Sequence, residues 1–280
     1  MAQDIQFADI KINYLSIAEA RKRSGLRLVL GAYAVPGPWR EACKGLFYVK
    51  KIPYVSVVTA SAGRSDLEFG ASGADAELIA WTGQSSAPVA IWNDERPCSS
   101  WVDQLNLAER LSSNPPLIPE SVEERALMFG FCNELCGENG FAWTKRLAII
   151  YRTLQALPAD DPGRGFWSHI GAKYRYTELA GATAPARMAR LVRALARQLE
   201  RQYDDGHHYF IGTRLSALDI YWATFVTMLD PMPSDLCPMA TAFRASYSNP
   251  DPEVQEALSP LLLQHRDFIY RGYLELPLVF

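Results

Sequence analysis

APVAIWNDERPCSSWVDQLNLAERL, residues 87–111, is the stretch whose reading decides the fold. PVAIW (88–92) reads as a short strand opening on a proline, which has no N–H to give to a sheet. Asn93-Asp94 is a turn signal, and ERPCS (95–99) reads as a returning strand. SWVDQLNLAERL follows as an amphipathic helix. Ser99 and Ser100 stand at the junction of strand and helix. A serine hydroxyl and the free N–H groups of a helix N-terminus make a small anion site suited to a carboxylate. Capping of the helix by Ser99 accounts for the same residues without any ligand.

Upstream, LRLVLGAY (26–33) is a compact apolar run, and a helical pattern begins near Pro38, where the missing N–H costs least. Trp39, Ala42, Cys43, Leu46 and Phe47 recur at three- and four-residue spacing and define one mostly apolar face. The pattern ends before Ile52-Pro53, because a residue preceding proline avoids the helical region. YVSVV (54–58) reads as a second strand. Residues 59–73, rich in Ser, Gly and Ala, read as a loop, and ADAELIAW as a short helix. The order to residue 111 is β-α-β-α-β-β-α.

Downstream, LSSNPPLIPE is a proline-rich connector, and the pattern beyond it is almost wholly helical. Residues 121–156 read as one long helix, with Gly137 and Gly140 marking the place for a break. PARMARLVRALARQLERQY carries an apolar stripe of Met188, Leu191, Val192, Leu195 and Leu199, with arginines on the other face. LSALDIYWATFVTML and PEVQEALSPLLLQHRDFIYR read as further helices. The domains expected are an N-terminal extension at 1–25, an α/β domain at 26–111, a linker at 112–120 and an all-helical domain at 121–280.

The bulk composition of the 280 residues, 49% hydrophobic and 21% charged, is that of a globular protein with a real core. A net charge of −3 exerts no general pull toward nucleic acid or anionic membrane. The opening residues lack a basic stretch followed by an apolar one, and no apolar run approaches a bilayer span. A cytoplasmic protein without nucleic-acid or membrane partners is expected. Cys43, Cys98, Cys132, Cys136 and Cys237 have irregular spacing, which points to reduced, buried thiols and not to a disulfide framework or metal site.

Three stretches together resemble the glutathione transferase superfamily, over about residues 26–230. They are residues 87–111, the strand–helix–Ile52-Pro53-Tyr54 arrangement, and YFIGTRLSALDIYWATF with its Ser216-x-x-Asp219 capping box. The resemblance implies an α/β thioredoxin-like N-terminal domain (βαβαββα) followed by an all-α helical-bundle C-terminal domain. It implies glutathione as co-substrate, a small apolar second substrate of aromatic or polycyclic type, and a homodimer.

It further implies a cis Ala87–Pro88 bond, with the main chain of Ala87 left as a short edge for the peptide of glutathione. Gln84 and Ser86 precede that edge, and Ser100 matches the serine that holds the γ-glutamyl carboxylate. Ser99 departs from the pattern, where an acid or Gln is usual. The register of the family's serine or cysteine nucleophile partner falls at Gly37, which has no side chain. The tyrosine register falls at Tyr33, making it the leading candidate to stabilise the thiolate, with Trp39 and Arg40 as alternatives. Phe129, Phe131, Phe141, Trp143 and Tyr151 are candidate aromatic surface for the electrophile. A glutathione-dependent lyase or isomerase and a non-catalytic glutathione-binding protein remain alternatives.

Overall fold

The computed structural model of the chain describes residues 13–31, 36–59, 76–248 and 250–279. Two compact units are present. The first takes the chain up to Ile118 together with Pro231–Ala245 and Phe268–Phe280, and the second holds Pro119–Asp230 and Ser246–Asp267. Two stretches that the sequence assigns to the helical domain therefore cluster with the first unit.

In the first unit α1 (Ile17–Ala20), β1 (Leu26–Val29), α2 (Pro38–Val49), β2 (Tyr54–Val57), α3 (Ala76–Thr82), β3 (Val89–Trp92) and α4 (Trp101–Leu111) follow one another. The sheet order is β2-β1-β3, with β1 parallel to β2 and antiparallel to β3. The expected fourth strand is reduced to one bridge between Ala90 and Cys98. Ala90 and Cys98 exchange both bonds, and the next pair, Trp92 with Arg96, is not made because Trp92 O accepts the N–H of Glu95 at 2.9 Å in the tight turn between them.

Part of the expected N-terminal extension is built into the sheet. Leu15 bridges Val57, its N–H donating to Ser56 O at 2.9 Å. Ile17 and Ala20 then join Val29, Val57, Leu78, Val89 and Ile91 in one buried cluster. Burial of each aliphatic side chain of this size contributes about 1.5–3 kcal/mol. On the same side, the Arg27 guanidinium lies 5.6 Å from the Trp81 ring. α2 packs with α4, and buries Ala42, Cys43, Leu46 and Phe47 as its spacing predicts.

The second unit is helical. The long helix expected over 121–156 is two helices, α5 (Val122–Cys136) and α6 (Phe141–Ala156), broken at the two glycines. A Cβ on Gly140 would lie 2.6 Å from the carbonyl oxygen of Glu134, so a tight connection here requires glycine. α7 (Gly163–Lys173), α8 (Glu178–Asp204) and α9 (Ala217–Phe225) follow, with a 3-10 turn at Val226–Met228. α10 (Thr241–Tyr247), α11 (Pro252–Ala257) and α12 (Pro260–Tyr273) complete the chain. The sequence joins the last two in one helix; Pro260 separates them, because Ser259 before it is biased away from helical backbone.

α6 packs on α8, α8 on α11, and α5 on α9. Trp222 is fully buried at the centre, 6.5 Å from the Phe141 ring and 6.2 Å from that of Phe210. Asp219 reaches back to the N–H and hydroxyl of Ser216, both at 2.8 Å. It also accepts the N–H of Phe210 at 2.9 Å and lies 2.9 Å from Nε2 of His265. The Ser216–Asp219 box thus anchors buried structure, as expected. Among the described residues no helix is long and apolar enough to cross a membrane, and no group of side chains could hold a metal ion. Cys43, Cys132, Cys136 and Cys237 are buried free thiols, and Cys98 is half-buried.

Candidate functional site

The strand registers bring several chain ends together. β1 and β3 pair Val29 with Val89, and the isolated bridge pairs Ala90 with Cys98. Gln104, in the first turns of α4, bonds the carbonyls of both Pro88 and Cys98. The end of β1, the start of β3 and the start of α4 therefore meet at one end of the sheet. The Ala87–Pro88 peptide is cis. Among the described residues, neither the N–H nor the C=O of Ala87 has a hydrogen-bond partner. Such a free edge can pair with an extended peptide.

Gln104 on α4 holds this corner from beneath. It is 3% exposed, and its side-chain amide donates to the carbonyls of Pro88 and Cys98, both at 3.3 Å. The sequence reading missed it. Its signal was an amide on the otherwise apolar face formed by Leu105 and Ala108.

Ser100, not Ser99, caps α4: the helix starts at Trp101, so Ser100 is the residue whose hydroxyl can reach into the first turn. Its Oγ accepts the N–H of Asp103 at 3.1 Å, and its O–H remains a donor. Ser99 is exposed. Gln84 and Ser86 are half-buried in the turn leading to Ala87, with the Gln84 N–H donating to Thr82 Oγ1 at 3.1 Å. Burial pushes the Cys98 thiol up, and Asp103 adds to the effect.

α2 begins with Gly37 as N-cap and Pro38 in its first turn. Arg40 is buried, at 7% exposure, and its Nη1 donates to the carbonyl of Leu30 at 3.1 Å, tying α2 to the end of β1. A Cβ on Gly37 would lie 2.9 Å from Nη2 of Arg40 and nearer still to Nε. The guanidinium thus fills the space a serine or cysteine side chain would need. Trp39 is half-buried beside it. Tyr33 lies outside the described residues. Ser16 is committed to capping α1, its Oγ donating to Glu19 at 2.7 Å.

One turn further along α2, Lys44 is almost fully buried. Its Nζ lies 3.2 Å from Glu41 and from Glu275, and donates to the carbonyl of Val279 at 2.7 Å. Burial pulls its pKa down, but the surrounding groups, Glu41 foremost, prevail and raise it. The Tyr14 phenol stands in the same field and is pushed up to about 12, chiefly by burial.

The aromatic residues singled out from the sequence divide. Phe141 is core, packed against Trp222. Trp143 is committed to Tyr174, donating Nε1 to its carbonyl at 3.0 Å with the rings edge-on at 5.0 Å. Phe141 is fully buried and Trp143 half-buried. Phe129, Phe131 and Tyr151 are half-buried.

No protein-family model matches the chain, and no curated protein sequence matches it. Solved structures do. A glutathione S-transferase from Methylobacillus flagellatus, with glutathione bound, aligns over 88% of this chain and 95% of its own, at TM-score 0.57 and 11% identity. The beta-etherase LigF of Sphingobium sp. strain SYK-6 aligns over 87% and 99%, at TM-score 0.55 and 15% identity. A glutathione S-transferase from Xanthobacter autotrophicus aligns over 90% and 96%, at TM-score 0.54 and 13% identity. With a thioredoxin-like sheet, its cis-proline corner and a helical unit behind it in sequence, the chain has the glutathione transferase fold.

Proposed function

We propose that this protein binds glutathione along the Ala87–Pro88 edge and uses its thiolate to attack a small apolar electrophile. The observation that carries the reading is the main chain of Ala87, which has no partner among the described residues, next to the capped N-terminus of α4. The N–H and C=O of Ala87 bond the cysteinyl main chain of the peptide, as an added strand would. The hydroxyl of Ser100 and the first N–H groups of α4 take the γ-glutamyl carboxylate, where the helix dipole favours negative charge. Gln84 and Ser86 flank the peptide, and Ser99 lies at the rim. Gln104 keeps the corner in place without touching the ligand.

The thiol is then directed to the start of α2. Arg40 is the group the described geometry favours as thiolate stabiliser, in place of the missing side chain at Gly37. A permanently charged guanidinium and a helix N-terminus both lower a thiol pKa, raising the thiolate fraction at neutral pH. The Leu30 carbonyl holds the guanidinium in position. Tyr33 and Trp39 are the other donors in this reading. The protein acts as a cytoplasmic homodimer in the same reading, which light scattering tests.

Two further readings share the glutathione site. The likeness to LigF supports an ether-cleaving lyase, and an isomerase would return glutathione unchanged. Calorimetric titration with glutathione, followed by turnover of an aryl halide and an aryl ether with glutathione monitored, separates them. Absence of any glutathione affinity overturns all of these readings. Affinity without turnover leaves a binding protein.

A further inference from the structure

α6 presents an apolar stripe to the interior of the second unit, with Phe141, Ala142, Ala148 and Ile149 buried along it. Lys145 stands on that stripe, one turn beyond Phe141, where the helical spacing calls for an apolar side chain. It is fully buried, and its Nζ has no hydrogen-bond partner among the described residues. A methionine would fill the same length of space without withdrawing an amine from water, which costs free energy when no partner replaces the water.

The charges around Lys145 are few. Arg152 lies two turns further along the same face and leans back toward it, because helical side chains tilt toward the N-terminus of their helix. Arg146 is its neighbour in sequence, and Asp251, the N-cap residue of α11, adds a carboxylate from outside α6. Among the described residues no charged group of α5, α7 or α8, the helices packed on α6, adds to this field. Burial first, and then Arg152, pull the Lys145 pKa down to about 7 against the opposing effect of Asp251.

With Lys145 neutral, Asp251 is engaged elsewhere. Arg152 Nη1 donates to its carboxylate at 2.9 Å, in a pair whose side chains are 33% and 18% exposed. That carboxylate caps no N–H of α11, so turning it away breaks no helix cap. Water can take over the partly open guanidinium of Arg152, whereas an ammonium on buried Lys145 needs a carboxylate. α11 is only six residues long, and Arg193 of α8 holds it from Glu253 at 3.7 Å and Glu256 at 3.3 Å.

We propose that Lys145 is a proton-operated switch within the second unit. Neutral, it leaves Asp251 to Arg152; protonated, it takes Asp251 for itself, releases Arg152 to water and shifts the first turn of α11. The proton comes from solvent and returns to it, and the device does not depend on glutathione.

The test is NMR titration of the whole protein, labelled with 13C and 15N in lysine, arginine and valine, from about pH 5.5 to 9. The 13Cε resonance of Lys145 should titrate with a midpoint at about 7. The 15Nε resonance of Arg152 and the N–H resonance of Val254 should move with the same midpoint. Lys145→Met, which suits the apolar stripe and should fold, should abolish both movements. Asp251→Asn should lower the Lys145 midpoint by at least about half a pH unit, and Arg152→Gln should raise it by as much. Four results overturn the proposal: no titration of Lys145 in this range, a midpoint unmoved in Asp251→Asn or Arg152→Gln, Arg152 and Val254 resonances that stay still while Lys145 titrates, or the same movements persisting in Lys145→Met.

Discussion

The guanidinium of Arg40 occupies the space into which a side chain at Gly37 would grow: a Cβ at 37 would lie 2.9 Å from Nη2 of Arg40. A side chain at 37 therefore requires the guanidinium to shift, at the expense of its bond to the Leu30 carbonyl. Gly37→Ser should destabilise the protein by about 1–3 kcal/mol through overpacking. In Gly37→Ser/Arg40→Ala most of that loss should return, a non-additivity that urea denaturation measures directly.

The same pair bears on catalysis. Arg40→Met should lower kcat/KM for glutathione consumption at least about tenfold, with Trp39→Phe within about twofold of wild type. The pH–rate profile should move upward with Arg40→Met, as the thiol loses its cationic neighbour. An unchanged profile would transfer the role to Tyr33, whose Tyr33→Phe variant is then the deciding measurement.

Gln104→Leu keeps the side-chain size and removes the amide that holds Pro88 and Cys98. Stability should fall by about 1–3 kcal/mol, because two carbonyls lose their donor. KM for glutathione should rise while kcat changes less, since in the proposed site Gln104 holds the Pro88 and Cys98 carbonyls and does not meet the ligand. Equal loss in both constants would speak against that role.

Lys44 joins α2 to the chain's end through Glu41, Glu275 and the Val279 carbonyl. Lys44→Met should cost about 3–5 kcal/mol, because Glu41 is left buried without its partner. Lys44→Met/Glu41→Gln should recover part of it, and thermal melts of the two variants decide the point.

Lys145 on α6 is 0% exposed, and its Nζ has no hydrogen-bond partner among the described residues. Burial, assisted by Arg152, lowers its pKa from 10.5 to about 7. Between those values the unfolded chain holds the proton and the folded chain does not, so stability should rise as pH increases from about 7 toward 10. Below pH 7 both states are protonated, and the full penalty of roughly 3–5 kcal/mol remains. Lys145→Met should flatten that slope and stabilise the protein at neutral pH. Urea midpoints across pH 6–10 read both effects.

Much of the architecture was legible in neighbouring residues. The apolar runs at 26–29, 54–57 and 89–92, the proline opening α2 and the glycines between α5 and α6 act over a few residues, where backbone preference and periodicity operate. The limits of that reading are equally local. The tight turn at Trp92–Glu95 stopped a fourth strand that its neighbours suggested, and Pro260 divided the last helix.

The sequence by itself determined most of the order of elements and the absence of a side chain at Gly37, and its resemblance to a known family pointed to the cis bond at Ala87–Pro88. Tertiary structure alone decided what surrounds them: Gln104 beneath the corner, Ser100 as the cap, Arg40 over Gly37 and Lys44 on the chain's end. Lys44 and Val279 are 235 residues apart in sequence, and their contact depends on two distant stretches packing into one unit. Propensity and spacing act along the chain, whereas a hydrogen-bond partner is selected by whatever polar group burial brings within 3 Å. That is why the corner at Ala87–Pro88 could be read in advance and the partners of Arg40 and Lys44 could not.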